Sequence, residues 1–208
     1  MIWQQLEEAI LDRLFGTPIA DDHFSADERK FYAQQGQRDF IFHTGVYRGS
    51  WPLTIGASTR SIAMPTSTDG DYECLRAHRV TYNSEDIDTK TSKWVMNKFG
   101  RDWQSHTGAN LLAVFQDRLG PIYLEVYPLL TSQISATLYG AKRPPLITDY
   151  DSAIVIPEPF DLALVEYVCD WAFRKDHEHK DLEKADAHRK EYEKLRTQAT
   201  EWVMAGFK

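Results

Sequence analysis

Cysteine is scarce: Cys74 and Cys169 are the two in 208 residues. They are too few and too far apart for a disulfide framework, so a reduced compartment is expected. No run of 18 apolar residues occurs, and the first residues lack a basic-then-apolar export signal. A soluble, non-secreted protein without a membrane partner is the expectation. Basic residues are also in deficit, with 24 Lys and Arg against 31 Asp and Glu and a net charge of −7. That balance argues against a chain that grips nucleic acid regardless of sequence, because counterion release needs clustered Lys and Arg. Catalytic signatures are missing as well. No GxGxxG, Walker A, GxSxG, HExxH or CxxC is present. No cofactor, catalytic residue or metal ligand is therefore assigned.

Aromatic side chains are plentiful, at 12 % of the chain with six Trp. Large flat side chains serve cores, and they are also enriched where proteins bind one another. The chain is long enough for one domain with its own core, and surface scaling has it bury roughly 70 % of its unfolded area.

Met1–Phe15 reads as a short amphipathic helix. Trp3, Leu6, Ile10 and Leu14 share a face, Glu7, Glu8 and Asp12 lie off it, and Gly16 and Pro18 end it. Ser25 and Glu28 have the spacing of a capping box, opening a helix that runs to Thr44 and stops at Gly45. Gly36 weakens its middle by up to about 1 kcal/mol relative to Ala.

From Ser50 to Thr148 the period shortens. Trp51–Ile55, Ser61–Met64, Leu75–Tyr82, Leu111–Gln116, Ile122–Tyr127 and Gln133–Tyr139 read as strands. Ile122, Leu124 and Val126 alternate with Tyr123, Glu125 and Tyr127, predicting one buried face. Thr66–Asp71 and Asn83–Ser92 read as polar connectors, and Lys93–Gly100 as a short helix anchored by Trp94 and Phe99.

Pro157 and Pro159 fix the start of a helix carrying Leu162, Val165, Val168, Cys169, Ala172 and Phe173 on one face. A second stripe follows in Leu182, Ala185, His188, Tyr192, Leu195, Ala199 and Trp202. At about 100° per residue, Leu182 lies roughly 80° off the direction set by Ala172, so the stripes belong to two helices. Asp181 is placed to cap the second. Asp186 and Lys190 have the spacing of a supporting pair. The predicted fold class is thus α+β: a helical scaffold of N-terminal helices and a C-terminal helical pair, with an antiparallel β insertion. Residues 1–49 hold the N-terminal helices, 50–150 the β block and 151–208 the helical pair, which continues one domain with the N-terminal helices.

Few groups suggest chemistry. Asp176-His177-Glu178-His179-Lys180-Asp181 is best read as a solvated turn, since His177 and His179 would point about 200° apart on a helix. Glu7, Glu8, Asp12, Asp21 and Asp22 gather carboxylates near His23, but beside a Gly/Pro turn and on a polar face, where acid–base work finds no desolvated cleft. Arg143-Pro144-Pro145 reads as a rigid exit from the last strand. Tyr192, Leu195 and Trp202, with Phe207 in the aromatic tail, are candidate interface residues, or core of a helical hairpin.

The order of elements carries a resemblance. A capped helix at Phe24–Thr44 precedes a β block with Lys93-Trp94 and a Gly100–Trp103 turn. Then come a strand ending in proline (Ile122–Pro128), a strand leading to a Pro-rich exit (Gln133–Pro145), the start Ile156-Pro157-Glu158-Pro159-Phe160-Asp161, and the restart Asp181-Leu182-Glu183-Lys184-Ala185. This resembles the head-to-tail adaptor (connector) proteins of tailed bacteriophages, over about Phe24 to Leu195. The resemblance implies a virion component that joins the portal protein as a homo-oligomeric, dodecameric ring. It also implies docking of the tail (a nozzle or tail-tube protein), and packaged DNA passing through the channel without specific binding. The helix at Met1–Phe15 and the tail Trp202–Phe207 depart from the pattern. A tail-completion or stopper protein is the alternative, and a cell-wall hydrolase using the N-terminal acids a more distant one.

Overall fold

In a computed structural model of the chain, the described residues are 1–14, 24–66, 73–119, 122–175 and 180–206. Five α-helices lie among them: α1 (Trp3–Leu14), α2 (Ala26–Thr44), α3 (Ser92–Phe99), α4 (Leu162–Arg174) and α5 (Leu182–Ala205). The strands are β1 (Arg48–Ile55), β2 (Ser61–Ala63), β3 (Cys74–Tyr82), β4 (Glu85–Lys90), β5 (Thr107–Gly108), β6 (Ala113–Phe115), β7 (Tyr123–Tyr127), β8 (Leu129–Leu130) and β9 (Ile134–Lys142). The chain is α+β, with helices at both ends and a sheet between them. It divides into a helical unit, Met1–Tyr47 with Pro144–Lys208, and a β unit, Arg48–Arg143.

Local chemistry sets the helix ends. Ser25 and Glu28 form the capping box: Ser25 Oγ accepts from the Glu28 amide, and Glu28 Oε2 accepts from the Ser25 amide. Gly45 closes α2 in the left-handed region at φ 68°, donating its amide to Ile41 O. Asp181 caps α5 by accepting from the Lys184 amide. Thus α4 and α5 are separate helices, as the offset stripes require.

The helical unit's core takes Leu6, Ile10 and Leu14 from α1, Phe40 from α2, Val165, Val168, Cys169 and Phe173 from α4, and Ala185, Tyr192 and Ala199 from α5. Leu162 and Leu182, expected on the buried stripes, are exposed, each at the first residue of its helix. Glu7, expected at the surface, is buried against Arg29, whose Nη2 donates to Glu7 Oε1 at 3.1 Å. Asp186 meets Arg174 of α4 at 2.7 Å, so the expected pair with Lys190 gives way to a link between helices.

In the β unit seven strands follow the order β1-β9-β3-β4-β6-β7-β2. Most pairs are antiparallel; β4 with β6, and the small pair β5 with β8, are parallel. β4 lies in the stretch read as a polar connector. Its residues Glu85, Asp86, Ile87, Asp88, Thr89 and Lys90 have little apolar alternation, and the tight turn at Asn83 and Ser84, with φ of 52° and 64°, makes the strand. β7 is buried on both faces over Leu124–Tyr127, against the expected half-exposed strand. Its second face lies under a small aromatic cluster of Val95, Trp103, Ala113, Phe115 and Tyr127, with Trp94 and Phe99 of α3 packed against it.

That cover encloses Glu125, which is 1 % exposed and has no hydrogen-bond partner on either carboxylate oxygen. Arg118 Nε is 3.7 Å away. Burial raises the Glu125 pKa above the usual carboxylate value, and Arg118 and Arg60 offset this in part. A raised carboxyl pKa means the folded state holds the proton to higher pH than the unfolded chain. Stability tied to Glu125 is therefore present below the ordinary value of 4.5 and falls as pH rises through the folded pKa. Replacing Glu125 with Gln is expected to flatten this decline. Denaturant melts of both proteins from acidic to neutral pH should show the wild type losing ground to E125Q on the way up.

Gly36 has a packing reason. A Cβ there would stand 2.8 Å from Tyr167 Cδ1 and 3.3 Å from Leu164 Cδ2. Gly36→Ala gains helix propensity of up to ~1 kcal/mol but overpacks the α2–α4 contact at a cost of ~1–3 kcal/mol. Net destabilisation of about 1 kcal/mol is expected, read as a lower urea midpoint with an unchanged slope.

Candidate interaction surface

The helical unit is built on one register. Along α2 and α4, Glu28 meets Lys175 at 2.7 Å, Tyr32 stacks on Trp171 at 5.0 Å, and Phe40 meets Phe160 at 6.3 Å, so the two helices run antiparallel. Between α4 and α5, Asp170 approaches Arg189 at 3.8 Å, Tyr167 meets Tyr192 at 5.1 Å, and Phe160 meets Trp202 at 5.9 Å. That pair is antiparallel too, which leaves α5 parallel to α2.

One carboxylate ties three helices. Glu166 of α4 accepts from Arg13 Nη2 at 2.5 Å, and its other oxygen lies 2.5 Å from His188 Nδ1 of α5. Burial opposes its ionisation, but the hydrogen bonds from His188 and Arg13 outweigh burial and hold the Glu166 pKa below the usual value. His188 also stacks on Phe173 at 5.5 Å and 6°. It is a structural histidine.

An irregular strap, residues 144–156, crosses the unit on glutamine hooks. Gln34 Oε1 accepts from the Ile147 amide and Gln37 Oε1 from the Val155 amide, both at 2.8 Å, and Lys30 Nζ donates to Thr148 O at 2.7 Å. The strap in turn holds the start of α1: the Trp3 amide donates to Ser152 O, the Gln4 amide to Tyr150 O, and the Ile154 amide to Met1 O. Between α2 and this strap runs a shallow groove lined by Phe31, Gln34, Leu146 and Ile147, with Asp27, Lys30 and Thr148 along it. Phe31 is 56 % and Leu146 60 % exposed.

The candidate residues separate by depth. Tyr192 is wholly buried, and its hydroxyl donates to Asp39 Oδ2 at 2.5 Å. Burial and that hydrogen bond push its pKa well up. Of its two readings Tyr192 takes the core: its ring lies against Phe40 and Tyr167 inside its own unit, with its hydroxyl on Asp39. Leu195 is half-buried against the same core. Trp202 is 55 % exposed, one ring edge on Phe160. Phe207 lies outside the described residues.

The N-terminal acids do not converge. Glu7 is spent on Arg29, Glu8 accepts from Gln4 at the surface, and Asp12 is exposed. Asp21, Asp22 and His23 lie outside the described residues, as do His177 and His179. Among the described residues no three His, Cys, Asp or Glu side chains gather as a metal site would need. Cys74 and Cys169 are buried, and burial raises both thiols to about 12, so neither is a nucleophile at neutral pH.

The sequence reading passed over Phe31, Leu146 and the glutamine hooks. Phe31 had a signal: nine residues before Phe40, it points roughly 180° away from the core face. Leu146 had none, since a strap without periodicity does not announce which side it shows.

Among the described residues the arrangement is a set of exposed aromatic and aliphatic side chains carried on helices held in one register. A family model described as SU10 adaptor protein matches residues 1–204, so the N-terminal stretch Met1–Phe15 falls inside the family pattern, correcting that departure, while the tail Trp202–Phe207 is matched only as far as Met204. No curated protein matches the chain. With the family pattern spanning nearly every residue, the chain belongs to the SU10 adaptor protein family and is a phage adaptor.

Proposed function

We propose that this chain is a head-to-tail adaptor that assembles as a dodecameric ring on the portal vertex, presents the tail-docking surface and helps retain packaged DNA. Its partners on this reading are the portal protein, a nozzle or tail-tube protein, and further copies of itself. It is a virion protein of the head–tail junction, held in host cytoplasm before assembly, and it is not an enzyme. The family match over residues 1–204 is the observation that carries the reading. Supporting it, the helical unit leaves Phe31, Leu146, Tyr150, Trp202 and Met204 exposed, side chains available to a partner. The net charge of −7 suits a channel wall that repels phosphates and lets DNA slide.

Purified protein mixed with portal rings and imaged by cryo-electron microscopy tests the proposal. Ring density added to the portal is expected. Binding to tail protein with none to portal would favour a tail-completion or stopper component instead. Two variants sharpen the reading. Trp202→Ala is expected to stay folded and lose ring density, whereas Tyr192→Ala should lose about 4 kcal/mol of stability, because truncating a fully packed ring costs ~3–5 kcal/mol. Circular dichroism melts separate the two outcomes.

A further inference from the structure

In the β unit a short 3₁₀ turn, Trp103–Ser105, plugs the aromatic cluster with its buried residue, Trp103. The indole lies 5.3 Å from Phe115 and 6.0 Å from Tyr127, ring centre to ring centre. Gln104 and Ser105 are exposed. The Ser105 amide donates to Asp102 O and the His106 amide to Trp103 O, so the turn closes on itself. A turn this short has poor hydrogen-bond geometry and little stability of its own. What fastens it from outside therefore decides whether it stays shut.

Arg60, the residue before β2, fastens it twice. Its Nη2 donates to Gln104 O, and its guanidinium carbon stands 5.0 Å from the centre of the Trp103 ring. Its Nη1 is buried without an acceptor. Ser61, the next residue, sits opposite Glu125 where β2 pairs with β7, and the charges of Arg60 and Glu125 are close enough to interact. Glu125 is buried with both carboxylate oxygens unpartnered. An unused donor and two unused acceptors thus stand on neighbouring positions beneath one aromatic cover.

The other charges nearby are engaged elsewhere. Arg118 Nε, at 3.7 Å from Glu125 Oε2, is beyond hydrogen-bond length, and with 39 % of its side chain exposed it is screened by water. Its guanidinium carbon lies 5.6 Å from the Trp103 ring centre. Asp117 accepts from the Ser92 amide and hydroxyl at the start of α3. His106 turns Nδ1 to the Tyr127 hydroxyl at 2.9 Å and Nε2 toward Asp102 at 3.6 Å.

A neutral Glu125 tolerates this enclosure, because a protonated carboxyl loses far less on burial than a carboxylate. An ionised Glu125 needs charge-assisted hydrogen bonds, and Arg60 holds the spare N–H. The strong, forked form of that pair uses Nη1 and Nη2 together, which takes Nη2 from Gln104 O. We infer that Arg60 is a two-position latch: it holds the Trp103 turn shut while Glu125 carries its proton, and swings to the carboxylate, releasing the turn, when Glu125 loses it.

Hydrogen exchange of the full chain, followed by mass spectrometry from acidic to mildly basic pH and corrected for intrinsic rates, tests the latch. Opening of the Ser105 and His106 amides should rise by up to about tenfold per pH unit, the limit for release of one proton. The β7 amides of Leu124 and Val126 should stay protected over the same range, since the opening is local. E125Q should keep the turn shut at every pH, and Arg60→Met should leave it open at every pH. The latch is overturned if the wild-type turn shows no pH dependence, if either variant keeps the wild-type slope, or if β7 opens in step with the turn.

Discussion

A buried tyrosine sets the register of the helical unit. Tyr192 brings its ring against Phe40 of α2 and Tyr167 of α4, and gives its hydroxyl proton to Asp39. A ring at this level cannot slide by a turn, because its hydroxyl would then be buried without a partner, a loss of ~1–3 kcal/mol. The contacts above and below inherit that register: His188 reaches Glu166 on one side, and Trp202 reaches Phe160 on the other. The consequence is a fixed spacing between the two ends of the unit. Exposed apolar groups at Phe31 and Trp202 are carried on helices held in one register.

The same packing accounts for the charges. Buried acids are placed between helices. Glu7 lies against Arg29, Glu166 between Arg13 and His188, and Asp170 between Arg174 and Arg189. Removing one member of the buried Glu7–Arg29 pair costs ~3–5 kcal/mol, because the other charge stays behind. These carboxylates align helices in a unit whose apolar seam on α5 is narrow: Ala185, Tyr192 and Ala199 are its fully buried residues. In the β unit the reverse holds. Glu125 is enclosed without hydrogen bonds beneath the aromatic cluster, and its raised pKa reflects the cost.

Much of the fold was readable from residue chemistry, and the exceptions share a cause. Ser25 with Glu28, Gly45 and Asp181 announced helix ends because capping is local. The separation of α4 from α5 followed from the angle between two stripes. Strand β4 escaped because its turn and its neighbours create it, while its own side chains are nearly all polar. Glu125 on β7 was assigned to solvent because alternation says nothing of what covers a strand's second face. At the surface, the stripe containing Tyr192, Leu195 and Trp202 was legible as a seam, but depth along it was not. The seam is sealed at Tyr192 and opens toward Trp202, where α5, at 24 residues against 13 in α4, outruns its neighbour. The groove at Phe31 and Leu146 joins residues 115 positions apart, and no local pattern links them.

The central claim is that this chain works by being repeated, each copy held between neighbours on a template. Native mass spectrometry of portal rings incubated with excess protein measures that directly. The account predicts one bound copy per portal subunit, with few partly filled rings, because each copy strengthens the seat of the next. Independent, partial filling, or no mass gained by the portal, would contradict it.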